Sequence, residues 1–394
     1  MKSPIIKKIN YVFIVESHND LDMIVPLIWK FSTDEYANVI IINTSPGFLS
    51  VNDPRIAFIL KNPSVKYIEM PKDFKFLDDI SGYIYSKMKI GYFHRKYLNS
   101  TLGYSQKKFE KIPISKNLTT VVFVSYFLDH KAVKAAFSWA NKYNFIKVFN
   151  NHGITPFVVD KTKPDTYLIA PEFDICILTK NSAKNFPNLN YQKTKKIYAA
   201  PRFSKEWCDR LSEIYPEKLI DLKKKKFRPT FMLSKWLIKD DKEMILSAIK
   251  KVSEMKDTEI TVKPHTRGMV LNEPLPSNVQ IVGEEFHSRK IIQESDVIIF
   301  TRSSIFLDAI LLNKPVIHLS YATSVDLASD ALNSCKTYSH QDLVAKLNII
   351  KLSNQIYSSE DRKKCINFYA GDNYDNMLNN IHNEIKLSVK KFNK

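Results

Sequence analysis

The chain is 394 residues long, with 44% apolar and 12% aromatic residues. That length suits two α/β domains, and the composition excludes a disordered or fibrous protein. The formal net charge of +18 points to an anionic partner, such as a phosphate-bearing substrate or an acidic membrane face, or else to the Lys- and Asn-rich composition of an AT-rich genome.

In chain order, a continuous apolar run at 11–15 predicts a buried strand, followed by a helix from about Asp20 and a strand at 38–42. A helix at 55–60 and a strand at 65–69 come next, and 74–116 is irregular. A strand at 120–125 leads to a helical stripe of Val133, Ala136, Phe137 and Ala140, then to strands at 145–149, 174–178 and 196–199. Apolar strands alternating with helices indicate a parallel sheet covered on both faces. The four-lysine run 223–226 before Pro229 reads as a linker. The rhythm then restarts with a strand at 230–233. A helix opened by an Asp240/Glu243 capping box follows, then strands at 259–262, 279–282, 297–300 and 316–319. Residues 373–390 read as one amphipathic helix.

The four cysteines, Cys176, Cys208, Cys335 and Cys365, show no CxxC or CxxH spacing. They read as reduced thiols of a cytoplasmic protein. The apolar run at 11–15 ends at Glu16, too soon for a secretory signal, and no stretch has the length of a membrane span. None of the eight glycines stands where GxGxxG or GxxxxGK needs one, so the dinucleotide fingerprint and the P-loop are absent. No basic stripe is interleaved with aromatics as in RNA-binding motifs, which argues against a nucleic-acid partner.

Three segments carry chemistry. In Asp296-Val-Ile-Ile-Phe-Thr-Arg-Ser-Ser304 a buried strand runs into a helix expected to start near Ser303. Thr301, Arg302, Ser303 and Ser304 there suit a phosphate at a strand's carboxyl end; the alternative is a plain helix cap. In Thr261-Val-Lys-Pro-His265-Thr-Arg267 the side chains of Lys263, His265 and Arg267 are expected on the same rim, suited to face a diphosphate; the alternative is a surface histidine in a basic loop. In Asn150-Asn151-His152-Gly153 a histidine ends an N-terminal-domain strand toward an expected interdomain cleft, suited to deprotonate an acceptor hydroxyl; the alternative is a histidine satisfied by local backbone. Glu16 and His18, in the loop after the first strand, are the competing bases. Asp20-Leu-Asp22 matches a DxD metal motif in form but reads as a helix start, and no other residues are spaced as metal ligands.

Together these segments resemble the GT-B class of glycosyltransferases, and within it the branch using cytidine-activated donors. Lys-Pro-His265 is similar to an element of CDP-glycerol glycerophosphotransferases and of bacterial sialyl- and Kdo-transferases. The segment 296–304 with Asn313-Lys-Pro315 resembles their paired-serine strand and "KP" segment, Asn151-His152-Gly153 their "HG" motif, and 200–207 the end of their N-terminal domain. One departure is Thr301-Arg302-Ser303-Ser304, where the glycerophosphotransferases carry Thr-Asp-Tyr-Ser-Ser.

The resemblance implies two doubly wound Rossmann-like domains facing a central cleft. An acceptor-side domain would span 1–222, a nucleotide-donor domain 223–372 and a C-terminal helix 373–394. It implies a metal-independent transferase with no cofactor, moving a sugar or alditol phosphate from a CMP- or CDP-linked donor to a lipid-linked saccharide of a capsule or O-antigen. Such a protein would work in the cytoplasm, peripherally on the inner face of the membrane. The alternatives are a UDP-sugar enzyme of the same fold, including one like UDP-GlcNAc 2-epimerase, and a non-catalytic scaffold that binds a glycan or a partner.

Overall fold

The computed structural model describes residues 8–15, 18–44, 53–70, 106–115, 117–124, 131–151, 173–179, 194–215, 226–234, 241–265, 273–283, 286–371 and 373–392. The chain divides into two compact units. Unit 1 holds Met1–Ile154, Asp165–Trp207 and Asp375–Lys394, and unit 2 holds Thr155–Pro164 and Cys208–Tyr374.

Unit 1 is built on a parallel sheet. Its strands are β1 (Ile9–Val15), β2 (Ala37–Asn43), β3 (Val65–Glu69), β4 (Thr120–Val124), β5 (Ile146–Asn150), β6 (Ile175–Leu178) and β7 (Lys195–Tyr198). They lie in the order β3-β2-β1-β4-β5-β6-β7. Its helices include α1 (His18–Ser32), α2 (Pro54–Ile59), α3 (Lys131–Lys142) and α4 (Lys205–Ile214), which runs across the division at Trp207/Cys208. Strands β1 and β4 are buried along nearly their whole length, as continuous apolar runs in a doubly covered sheet must be. On one face, Val12, Ile14, Val122 and Val124 pack with Ala136, Trp139 and Ala140 of α3.

Unit 2 repeats the plan. Its strands are β8 (Pro229–Met232), β9 (Ile260–Lys263), β10 (Val279–Ile281), β11 (Val297–Phe300), β12 (Val316–Leu319) and β13 (Lys336–Thr337). Their order is β10-β9-β8-β11-β12-β13, all parallel. The connecting helices are α5 (Lys242–Ser253), α6 (Ser288–Glu294), α7 (Ile305–Leu311), α8 (His340–Ser353) and α9 (Ser359–Ala370). Asp241, rather than Asp240, caps α5, its carboxylate accepting from the Met244 amide at 3.0 Å. The buried face of that helix is Ile245, Ala248, Ile249 and Val252.

The last helix, α10 (Met377–Phe392), belongs to unit 1. Met377, Leu378, Ile381, Ile385 and Val389 form its buried stripe. Glu206 of α4 accepts the Leu378 and Asn379 amides at 3.2 and 3.3 Å, and Asp34 accepts from His382 at 3.2 Å and Lys386 at 2.6 Å. These bonds pair its N-terminal amides with an acid and anchor its far end on the segment after α1.

The unit division falls earlier than the 222/223 boundary expected from the lysine run, of which 223–225 lie outside the described residues. The back half of α4 is tied into unit 2 by Arg289, whose Nη2 donates to the Cys208 carbonyl and the Ser212 hydroxyl, both at 3.0 Å. The tail at 375–394 is likewise no separate element but part of unit 1. No helix among the described residues is long and apolar enough to cross a membrane.

Candidate functional site

In both sheets the strand order reverses next to the first strand of the unit, between β1 and β4 and between β8 and β11. Open α/β sheets hold ligands beyond the carboxyl ends of strands at such a switch point. In unit 2 that point is bridged by side chains. Ser234, two residues past β8, and Thr301, the first past β11, share a hydrogen bond between hydroxyls at 3.1 Å. The segment 301–304 therefore leaves the sheet at the reversal.

The expected residues divide as follows. Thr301 is only 3% exposed, with its hydroxyl engaged by Ser234, so it shapes the turn from beneath. Arg302 stands exposed, and Ser303 and Ser304 are half-buried. The helix expected from Ser303 starts at Ile305, and α7 has seven residues, too short for much of a macrodipole. Ser304 occupies its N-cap in a helical conformation without a side-chain cap bond. The Ser303 hydroxyl accepts the Ile305 amide at 3.4 Å, a long contact. Capping therefore commits these hydroxyls weakly.

On β9, Lys263 is 3% exposed and its ammonium donates to the Gly283 carbonyl; it is buried rather than standing open on the rim. His265, two residues further, is half-buried. Strands β9 and β11 flank β8, so His265 and 301–304 share one edge of one sheet, a strand apart. Arg267, His152 and Glu16 lie outside the described residues. His18 is the first residue of α1, and its side chain is outside them too.

Asp22 lies within α1, and its carboxylate accepts from Arg55 and, at 3.0 Å, from Arg202. Arg55 also holds Asp53 at 2.8 Å. Burial works to raise the Asp53 carboxyl, but the Arg55 guanidinium holds it below the ordinary carboxylate range. Asp22 is thus an ion-pair residue of unit 1. Among the described residues no group of three or more His, Cys, Asp or Glu is gathered to hold a metal. Lys314 of the Asn-Lys-Pro segment donates to the Gln293 and Ser295 carbonyls, both at 2.8 Å, which fastens the end of α6.

Sequence reasoning passed over His318. It sits in β12 as Val-Ile-His-Leu, fully buried. Its Nε2 is 2.8 Å from the Thr301 carbonyl and its Nδ1 is 2.8 Å from the Ser320 hydroxyl. A carbonyl only accepts, so Nε2 carries the proton and Nδ1 accepts from Ser320. Burial pushes the imidazole down to about 4, outweighing the Thr301 bond that works to raise it. The ring is therefore neutral near pH 7. The signal was present in the sequence: a polar residue in a strand with no polar face.

Beside Ser320 opens a cavity of about 440 Å³, walled by Tyr321, Thr323, Asp326, Lys336 and Tyr338. The Lys336 ammonium bonds Asp326 at 2.7 Å. A larger cavity, about 640 Å³, lies in unit 1 at the amino ends of β1 and β2, away from the carboxyl edge.

No protein-family model matches the chain, and no curated protein matches it in sequence. Solved structures do match in fold. The chain is similar to S. aureus MnaA in complex with UDP, at 12% identity over 97% of each chain with a TM-score of 0.61. It is similar to a glycosyltransferase from Rickettsia africae, at 14% identity over 98% of this chain and 99% of that one, TM-score 0.55. It is also similar to UDP-GlcNAc 2-epimerase from Neisseria meningitidis bound to UDP-GlcNAc, at 11% identity over 96% of this chain and 100% of that one, TM-score 0.57. The fold is α/β with two parallel Rossmann-like sheets, GT-B-like as in these epimerase and glycosyltransferase structures.

Proposed function

We propose that the protein is an enzyme of nucleotide-activated sugars, a glycosyltransferase or an epimerase-like enzyme, that binds its nucleotide diphosphate at the carboxyl edge of the unit 2 sheet. The observation that carries this is the Ser234–Thr301 bond, which puts the turn bearing Arg302, Ser303 and Ser304 at the switch point of a GT-B-like sheet. Exposed Arg302 supplies charge, the serines supply hydroxyl donors, and His265 approaches from β9. Fixed donors of this kind stabilise a phosphate leaving group without a metal. The cavity beside Ser320, rich in hydroxyls with an aromatic wall, suits the sugar.

The motif resemblance favoured a cytidine nucleotide. The fold likeness supports uridine instead, since two of the three structural neighbours above are described with UDP or UDP-GlcNAc. The acceptor's proton is assigned to His152, with Glu16 and His18 as the competing bases, and the acceptor to a lipid-linked saccharide. Peripheral attachment at the cytoplasmic face of a membrane follows from that acceptor and the +18 charge. Such attachment weakens with salt.

The test is a thermal-shift and calorimetry panel of UDP, UDP-GlcNAc, CDP, CMP and GDP, with and without chelator. A ligand at about a hundred times its dissociation constant adds roughly 2.7 kcal/mol to stability. Uridine nucleotides stabilising best, equally in chelator, is the expected result. Cytidine nucleotides winning restores the glycerophosphotransferase-like branch, and no response to any nucleotide defeats the proposal. Binding without turnover on any acceptor indicates a scaffold. If His152 is the base, His152→Ala lowers turnover by about 10²–10⁴ with nucleotide affinity intact.

A further inference from the structure

Position 318 is flanked by Val316, Ile317 and Leu319, all buried, and a histidine there is costly unless both ring nitrogens are bonded. Both are: Nε2 bonds Thr301 after β11 and Nδ1 bonds Ser320 after β12. Phe300 lies against it at 5.2 Å between centroids and is itself stacked on Phe306 at 4.7 Å. The Thr337 hydroxyl donates to the His318 carbonyl at 2.9 Å. The chain Ser234–Thr301–His318–Ser320 thus joins the ends of β8, β11 and β12.

We propose that His318 is the positioning residue of the 301–304 turn: its Nε2–H fixes the Thr301 carbonyl, and with it the direction in which Arg302, Ser303 and Ser304 face a bound phosphate. This rests on the donor-site reading above. Thr301 is where the chain leaves the paired strand, since Phe300 is the last β11 residue in register with β12. A rotation there swings every donor that follows. The same bond chain links the turn to the cavity beside Ser320, so a ligand group that pulls on Ser320 is felt at Thr301. The charged groups acting on the ring are Asp326 and Lys336, which oppose one another. Burial outweighs both, and the ring stays a neutral donor through the working range.

Glutamine places an amide donor near the position of Nε2; asparagine is too short to reach Thr301, and leucine has no donor. Wild type, His318→Gln, His318→Leu and His318→Asn are compared by thermal midpoint, by amide hydrogen exchange at 302–305 without ligand, and by UDP and CDP affinity. In folded His318→Leu, or in His318→Asn should the leucine variant not fold, exchange at 302–305 is expected to rise and nucleotide affinity to fall, each about tenfold. His318→Gln should restore both to within about threefold. Nitrogen-15 spectra of the wild-type imidazole should show the Nε2–H tautomer near neutral pH. Wild-type exchange at 302–305 in a folded variant lacking the donor overturns the proposal, as does an Nδ1–H tautomer. Should the wild type bind no nucleotide, the donor-site reading fails, and exchange and tautomer still decide whether His318 holds the turn.

Discussion

Ser234 and Thr301, 67 residues apart in the chain, join hydroxyl to hydroxyl at 3.1 Å where the strand order of the second sheet reverses. The bond pins the two loops between which an open α/β sheet leaves its crevice. Because both residues are buried, they serve the frame, and in the proposed donor site the groups that meet a ligand are those that follow: Arg302, Ser303 and Ser304.

Replacing Ser303 and Ser304 together by alanine should barely change stability. Ser304 makes no cap bond and Ser303 only a long one, so the expected loss is under about 1 kcal/mol. Nucleotide affinity should fall much further, by about 1.5–3 kcal/mol for each hydrogen bond to a charged group that is lost. Calorimetry beside thermal unfolding separates the two. A stability loss with unchanged affinity returns the serines to helix capping.

Asp22→Ala should destabilise unit 1 by about 2 kcal/mol, because it removes a carboxylate paired with Arg55, whose side chain is 10% exposed. Arg202→Ala should cost about 1 kcal/mol or less, since the Asp22 side chain is 30% exposed and keeps Arg55. Denaturant unfolding measures both. If Asp22→Ala instead leaves stability untouched and abolishes a magnesium or manganese dependence, the carboxylate is a metal ligand.

Stability should fall on acidification from about pH 6.5 to about pH 4. The unfolded chain protonates position 318 below about 6.5, whereas the folded protein resists until about 4. The stabilisation is therefore complete above the higher value and lost by the lower, and is on the order of 3 kcal/mol. His382 is also held below its ordinary value, by burial first and Lys386 next, and adds in the same direction. Urea unfolding at a series of pH values should give a flatter slope across this window for His318→Leu than for wild type. Equal slopes would remove His318 as the source.

Much of the fold was legible because it rests on apolar periodicity. The strands at 11–15, 65–69, 297–300 and 316–319 stand where the continuous runs placed them. The unit division was not legible. A lysine run looks like a linker, whereas α4 runs unbroken across the division and its back half is held in unit 2 by long-range bonds such as Arg289 to Cys208 that leave no local trace. At the site, sequence spacing put His265 and 301–304 on one edge, but it could not tell an exposed donor from a buried brace. Lys263 and Thr301 look like ligand groups by type and are structural by burial. His318 was missed for the converse reason: its role depends on Thr301, just past a neighbouring strand and 17 residues earlier.

A crystal structure of the protein grown with UDP tests most directly whether a nucleoside diphosphate binds at the edge carrying 301–304. Phosphate oxygens within hydrogen-bonding distance of Ser303, Ser304 or the adjoining amides, about 2.7–3.2 Å, are the expected result, with His265 on the same ligand. UDP bound elsewhere, as in the unit 1 cavity, with 301–304 untouched, would contradict it.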